Sequence, residues 1–428
     1  MYLADSRTTP PAAGRESAPG RRRAAVPATV LALGTVSLIT DVSSEMVGAV
    51  LPLYLVTGLG LTPLGFGLLD GVYNGAGALV RLLGGRVSDR RAGGHKTVAA
   101  AGYGLSALCK PLLLLVHSMP LIGAVLAADR AGKGLRTAPR DALISLSCEP
   151  AARGRAFGVH RAMDTAGALL GPLLAFVILR AAADGFDAVF TASACIAVLG
   201  VVVLVLFVPA HTGGSGDPRG TTARTGAREL LRLPAVRRLT GCAVLLGLTT
   251  VSDSFLYLTL QRRLHLPEAW FPLLPLGTAT VFLLLAVPLG AVADRWGRRR
   301  LFVCGHLALL TAYAVLLLAP PGASPVTVCC VLVLHGGFYA ATDGVLAAAT
   351  ADAVPRQARG SGLAVVQTGQ ALARFACSIA FGAAWTAWGE RTALTAGAAG
   401  LCAATVLSAR LLRPSSAGTP PTAPESAR

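Results

Sequence analysis

Long apolar runs, separated by short charged or proline-containing breaks, fill the chain from about residue 26 to residue 412. Each holds about 20 or more mostly apolar residues, the length a helix needs to cross a hydrocarbon core roughly 30 Å thick. None shows the polar–apolar alternation of a membrane barrel, so helices, which satisfy their own backbone groups, are left as the way to span lipid. The pattern predicts twelve transmembrane helices, approximately 26 to 56, 64 to 84, 97 to 116, 120 to 141, 156 to 179, 187 to 208, 238 to 260, 270 to 292, 301 to 319, 325 to 349, 361 to 386 and 392 to 412.

The polar breaks carry an internal repeat. Gly85-Arg86-Val87-Ser88-Asp89-Arg90 recurs about 205 positions later as Gly290-Ala291-Val292-Ala293-Asp294-Arg295, and Pro150 to Gly154 has a counterpart in Pro355 to Gly360. A duplicated bundle follows. The expected fold is an all-α membrane protein of two pseudo-symmetric six-helix bundles, 25–208 and 237–412, joined by a cytoplasmic linker, 209–236, that contains Gly213-Gly214-Ser215-Gly216. Residues 1–24 and 413–428, rich in Pro, Ala, Ser and Arg, read as disordered cytoplasmic tails.

Composition excludes a soluble protein: 54% of residues are hydrophobic, 14% are charged and the mean hydropathy is +0.62. A net charge of +17 could suggest nucleic acid, but most of the 38 Lys and Arg fall in the tails and the even-numbered loops. That asymmetry is the positive-inside rule, with both termini in the cytoplasm. The basic loops then face anionic headgroups of the bilayer, and no nucleic-acid partner is expected. Arg21 to Arg23 precede an apolar run too long for a signal peptide, which reads as a retained first helix. The nine cysteines lie mostly in apolar runs without C-x-x-C spacing and read as small hydrophobes, so no metal site is expected. Abundant Arg, Ala, Gly and Pro beside only three Lys hint at a GC-rich bacterial genome, which suggests the bacterial inner (plasma) membrane.

Charges inside the apolar runs carry the functional signal. One ionised side chain at the bilayer centre costs about 2.5 to 3.5 kcal/mol on insertion scales, so Asp129, Arg130 and Lys133 must face protein or water. At about 100° per residue, Asp129, Lys133, Arg136 and Arg140 form one stripe of predicted helix 4. Asp41 and Glu45 share a face of helix 1. Helix 2 offers Asp70, Asn74 and Arg81; helix 7 offers Asp253 with Tyr257; helix 10 offers His335, Tyr339 and Asp343. Carboxylates in a partly dry cavity can alternate between protonated and ionised states, which suits Asp41 and Glu45 to carrying protons. Equally, either could form a static ion pair with Arg130 or Lys133. His160, Arg161 and Asp164 suit an interfacial or local ion pair as well as a cavity, and His335 suits either a proton relay or helix packing. Arg374 is an intramembrane charge with no partner identifiable from sequence.

The Gly-x-x-x-Asp-Arg stretches after helices 2 and 8 resemble the loop signature of the major facilitator superfamily. The second copy continues Trp296-Gly297-Arg298-Arg299-Arg300, whereas the first has one extra residue and Gly93-Gly94-His95-Lys96 in place of the basic run. By that resemblance, Gly85, Asp89, Arg90, Gly290, Asp294 and Arg295 act in gating. The glycines would let a neighbouring helix approach, and the aspartates would face a helix N-terminus or an arginine. Gly158, Gly167, Gly171 and Pro172 resemble the helix-5 motif of antiporters in this superfamily, although Ala175-Phe176 replaces its final glycine pair. The stretches around Asp41 to Met46 and Gly132 to Asp141 resemble patterns in a branch of bacterial facilitators. The resemblance implies a central cavity lined by helices 1, 4, 7 and 10.

The reading that follows is a secondary transporter, acting as a monomer by alternating access, that exports a small organic molecule such as a drug or metabolite in exchange for protons. Asp41 and Glu45 are the expected coupling residues and Asp253 the third choice. Arg130, Lys133 and Arg136 would balance charge or attract an anionic group, with Tyr257, His335, Tyr339 and Asp343 completing the cavity. The alternative is proton-coupled uptake of a small anionic solute. A non-transporting receptor or an intramembrane enzyme is more remote, since neither H-E-x-x-H nor G-x-S-x-G occurs and Gly102-Tyr103-Gly104 lies inside a helix. With no G-x-x-x-x-G-K-[ST], ATP hydrolysis is not expected; no cofactor is needed, and the proton gradient is the expected energy source.

Overall fold

A computed structural model describes residues 27–89, 95–149, 152–182, 184–209, 227–320, 322, 324–354 and 359–411. The predicted tails, most of the linker and Arg90 lie outside these residues. Helices account for the architecture, and no strand occurs among the described residues. In chain order they are α1 (Ala28–Leu53, ending in a π-turn, Tyr54–Gly58), α2 (Pro63–Asp89), α3 (His95–Leu115), α4 (Met119–Leu146), α5 (Arg153–Ala181) and α6 (Gly185–Phe207). There follow α7 (Ala227–Leu230), α8 (Pro234–Gly247), α9 (Asp253–Leu264), α10 (Leu273–Trp296), α11 (Arg298–Leu318), α12 (Pro325–Ala353), α13 (Arg359–Trp388) and α14 (Glu390–Leu411).

Each of the predicted apolar runs is helical. Eight helical segments are by themselves long and apolar enough to cross a membrane. The other runs are α2, α4 and α13, which carry charged residues, and the seventh, which is divided. Predicted helix 7 is not continuous: α8 ends at Gly247 and α9 begins at Asp253. A break in a lipid-buried helix is tolerated when its freed backbone groups find partners. Here Val251 N–H donates to the Tyr313 hydroxyl at 3.1 Å, and the Cys377 thiol donates to the Thr250 carbonyl at 3.3 Å. The break puts Asp253 in the first turn of α9, at the positive end of the helix dipole.

Pairings repeat between the halves. α1 packs on α5 and α6, α2 on α4, and α3 on α4 and α6; correspondingly, α8 packs on α13 and α14, α10 on α12, and α11 on α12 and α14. The halves meet through α2 against α13 and α5 against α10. At the end of the bundle away from Ala28 and Leu411, α2 and α13 close together. Leu64 N–H donates to Thr386 Oγ1 at 3.0 Å, and there Phe255 packs edge-on to Phe66 and tilted against Trp385, with ring centroids 4.8 and 5.6 Å away.

The repeated signature lies on helices rather than on loops. Gly85 and Asp89 fall in the last turns of α2, and Gly290, Asp294 and Arg295 in those of α10. The α10–α11 connection is reduced to Gly297, whose φ of 91° favours glycine. These helices outrun the apolar core, since 24 to 27 residues at about 1.5 Å each exceed its thickness. Close approach at Gly290 is not seen: a Cβ built there meets no described heavy atom within 4 Å. In the helix-5 motif, Gly167 and Gly171 do abut α1, with built Cβ positions 2.6 Å from the Leu38 carbonyl and 2.8 Å from the Val42 carbonyl, while Gly158 faces open space. Pro172 is accommodated inside α5.

Candidate functional site

A cavity of about 420 Å3 lies between the halves. α1 contributes Glu45, α2 Tyr73 and Asn74, and α5 Pro172; the second half adds Asp253, Tyr257, Phe282, Tyr339 and Asp343. A neighbouring chamber of about 270 Å3 shares Asn74, Tyr339 and Asp343 and adds His306, Gln367, Gln370 and Arg374. The central cavity sets apolar and aromatic walls beside several polar groups, as suits a small organic ligand, and the neighbouring chamber is the more polar of the two.

In the first half, the basic stripe of α4 is spent on carboxylates. Arg136 reaches Asp41 at 3.3 Å, and its guanidinium stacks 4.4 Å from the Tyr103 ring centroid. Lys133 lies 3.3 Å from Glu45 and 4.0 Å from Asp41. Arg140 bridges Asp164 of α5 at 3.6 Å and donates to Ser37 of α1 at 3.0 Å. His160 Nε2 lies 3.5 Å from Asp164, a local pair one helical turn apart. Arg130 turns to α2, donating to the Tyr73 hydroxyl at 2.6 Å and contacting Asp129 at 3.2 Å.

Two expectations change. In this conformation Arg130, Lys133 and Arg136 are not among the described walls of the cavity of about 420 Å3, to which α2, α5 and α10 contribute, although Lys133, with its side chain 36% exposed, reaches Glu45 at the cavity wall. The reason is electrostatic, because each basic group is drawn to a carboxylate or hydroxyl on α1, α2 or α4. Arg130 is also not the partner of Asp41 or Glu45. Its own neighbour Asp129 already holds it, and the cations met by the α1 carboxylates are Lys133 and Arg136.

The second half brings its predicted residues together. The Tyr339 hydroxyl donates to the Asp253 carboxylate at 2.7 Å, and His335 Nε2 lies 3.2 Å from the same group. His335 Nδ1 is 3.4 Å from Thr278 Oγ1, and the Tyr257 ring packs against the imidazole with centroids 5.8 Å apart. Arg374, unassigned by sequence, stands over Tyr339 with its guanidinium carbon 5.9 Å from the ring centroid. Asp343 is exposed on both chambers.

Two features were missed. Lys110 is 1% exposed and lies 3.0 Å from Asp129. An intramembrane lysine was the available signal, but its partner lies on another helix. Asp70 accepts a hydrogen bond across the seam from Ser378 at 2.7 Å, and its sequence stripe gave no hint of α13.

The sequence matches the family profile described as Major Facilitator Superfamily over residues 33–376, with a second, overlapping match over 249–427. A curated relative, an uncharacterized MFS-type transporter of Methanocaldococcus jannaschii, is 28% identical over 379 residues, covering 85% of this chain and 90% of its own. An uncharacterized protein of Mycobacterium bovis is 36% identical over 145 residues, or 34% of this chain and 35% of its own. Among solved structures, the nucleoside transporter NupG superposes with a TM-score of 0.74 at 13% identity, covering 90% of this chain and all of that one. A POT family transporter in complex with 5-aminolevulinic acid gives 0.74 at 15% identity, covering 90% and 97%. At these identities the superpositions speak for the fold alone.

Proposed function

The chain belongs to the major facilitator superfamily and is a secondary transporter rather than an enzyme, and from that premise we propose that it exports a small, positively charged organic molecule in exchange for protons. One observation carries the reading. The central cavity presents Glu45, Asp253 and Asp343 beside Tyr73, Tyr257, Phe282 and Tyr339, with no lysine or arginine among its described walls. Carboxylates attract a cation, and aromatic faces take both its charge and its apolar body. Anion uptake loses its main support, because the basic stripe of α4 is already paired.

Exchange follows from competition for the same carboxylates. Glu45 holds Lys133 at 3.3 Å, and Asp253 holds His335 and the Tyr339 hydroxyl. A proton arriving on Glu45 weakens its hold on Lys133, and one on Asp253 removes an acceptor that a bound cation would use. Asp41, tied to Arg136, passes the same change to the α1–α4 contact. Closure at one end, with the cavity between the halves, is the geometry that alternating access requires.

Proteoliposomes carrying an internal pH dye test the reading, with organic cations, anions and neutral drugs as cargo. Cation flux should drive proton movement in the opposite direction, and Glu45→Gln or Asp41→Asn should uncouple it. Proton movement in the same direction as cargo would establish uptake instead. Flux without proton movement would reduce both carboxylates to structural partners of α4.

A further inference from the structure

Asp70 of α2 sits on the seam between the halves and is 5% exposed. Its Oδ2 is 2.7 Å from Ser378 Oγ on α13, and its Oδ1 accepts from Asn74 Nδ2 at 3.2 Å. Four other intramembrane carboxylates have basic partners: Asp41 has Arg136, Glu45 has Lys133, Asp129 has Lys110 and Arg130, and Asp253 has His335; Asp343 has none within 4.0 Å among the described residues, but it is exposed to both chambers. Asp70 forms no ion pair among the described residues. Its nearest influences are acidic or neutral: Asp253 with Ser252 and Ser254 around the start of α9, the Cys377 thiol on α13, and Tyr73 on its own helix; Arg374 of α13 lies near Cys377, and Arg130 of α4 is bonded to Tyr73, but neither forms an ion pair with Asp70.

An ionised carboxylate shut away from water without a counter-charge costs far more than a neutral carboxyl that keeps its hydrogen bonds. The packing here leaves no room for relief. A Cβ built on Gly67 would lie 2.5 Å from the Ser378 carbonyl, so α2 and α13 are in backbone contact one turn from Asp70. A route for a proton is present. A cavity of about 20 Å3 touches Asp70, Tyr73, Gly48 and Ser254, and the last three also line the central cavity. Most of its wall is apolar, from Leu51, Pro52, Leu55, Phe66 and Leu69, but the volume and the three polar side chains of Asp70, Tyr73 and Ser254 suit one water molecule.

We propose that Asp70 is a proton-bearing latch of this transporter. With the α2–α13 end closed, the carboxyl is protonated and keeps its hydrogen bond with Ser378 Oγ. Opening that end breaks this hydrogen bond and hydrates the group, and the proton passes to water, leaving the carboxylate behind. Reclosure takes a proton back, either from that side or from the central cavity through the water next to Tyr73. Asp70 thus acts as a coupling group separate from Glu45 and Asp41, and it makes low pH favour the closed end.

The proposal rests on the proton-coupled reading, but its test needs neither substrate nor gradient. Nitroxide labels are placed at Ser118 and Ser324, exposed residues of the α3–α4 and α11–α12 connections of the two halves, through a genetically encoded keto amino acid, leaving the nine native cysteines intact, and distances are measured by double electron–electron resonance in nanodiscs. In the wild-type chain the short-distance population should grow as pH falls from 8 to 5, by up to about tenfold in the closed-to-open ratio per pH unit for one linked proton. Asp70→Asn, which mimics the neutral carboxyl, should hold the short distance across the whole range. Ser378→Ala should keep a pH dependence while moving its midpoint. A wild-type ratio that ignores pH, or an Asp70→Asn ratio that still titrates as the wild type does, would overturn the proposal. If proteoliposomes show no proton exchange while the distances titrate through Asp70, the export reading fails and the latch stands.

Discussion

Lys110 of α3 and Asp129 of α4 form an ion pair of 3.0 Å whose side chains are only 2% and 6% exposed. Arg130 adds a second cation to the same carboxylate at 3.2 Å and ties it to Tyr73 of α2 through a 2.6 Å hydrogen bond. Three helices of the first half are therefore pinned at one charged node inside a lipid-facing bundle. Such a node makes the half move as one body, as rocking between two states demands.

Removing one member should be much worse than removing all three charges. Asp129→Asn leaves two buried cations facing a neutral amide, and Lys110→Met leaves the carboxylate to Arg130 alone. Breaking a buried pair in this way costs about 3 to 5 kcal/mol, whereas a well-packed apolar replacement of the pair is often close to neutral. Thermal unfolding in detergent should place Asp129→Asn well below the wild type and Lys110→Met/Asp129→Leu/Arg130→Met, which removes all three charges, near it. Equal losses for the single and triple variants would show that the node contributes packing rather than charge.

Alanine at the glycines of the signature motifs should split them by neighbour. At Gly171 the new Cβ meets backbone, 2.8 Å from the Val42 carbonyl and 2.9 Å from the Met46 nitrogen, so α5 must back away from α1. Overpacking of this kind costs about 1 to 3 kcal/mol. Gly158 and Gly290 face open space, where alanine is neutral or up to about 1 kcal/mol stabilising through helix propensity. For Gly290, slower transport with an unchanged unfolding temperature is the expected pair of results, because the gating role implied by resemblance needs close approach in the other conformation. An unchanged transport rate in Gly290→Ala would confine that glycine to a helix end with no gate contact.

Much of the fold was legible because bilayer thickness dictates run length, and because duplication left its mark at Gly85 and Gly290. Asp253, His335 and Tyr339 could be grouped by face, since they lie near one turn of a helix or opposite it in an equivalent helix of the same half. Legibility stopped where a choice between helices had to be made. Nothing in the spacing of Asp129, Lys133 and Arg136 says that the first turns to α3 and the others to α1. The break before Asp253 escaped notice because Leu248 to Ser252 contains neither Gly nor Pro; its partners, Tyr313 and Cys377, lie far along the chain. Asp70 met the same limit, its partner Ser378 being 308 positions away.

Asp343 gives the sharpest test of the cargo's charge. Around the two chambers, Glu45 is offset by Lys133 at 3.3 Å, and Asp253 by His335, with Arg374 across the Tyr339 ring. Asp343 is exposed to both chambers and has no ion pair within 4.0 Å among the described residues, so it is the carboxylate most available to a ligand. Because it is exposed, Asp343→Asn should leave the fold intact, with unfolding within about 0.5 kcal/mol of the wild type. Tetraphenylphosphonium and tetraphenylborate have nearly the same shape and opposite charge, so their equilibrium binding to detergent-solubilised protein isolates the electrostatic part. The wild-type chain should prefer the phosphonium; Asp343→Asn should lose about tenfold or more of that preference, the equivalent of one charge interaction of roughly 1.4 kcal/mol, and Asp343→Glu should recover it. A wild-type preference for the borate would reverse the sign of the cargo and revive the anion reading, with Arg374 rather than Asp343 as its anchor.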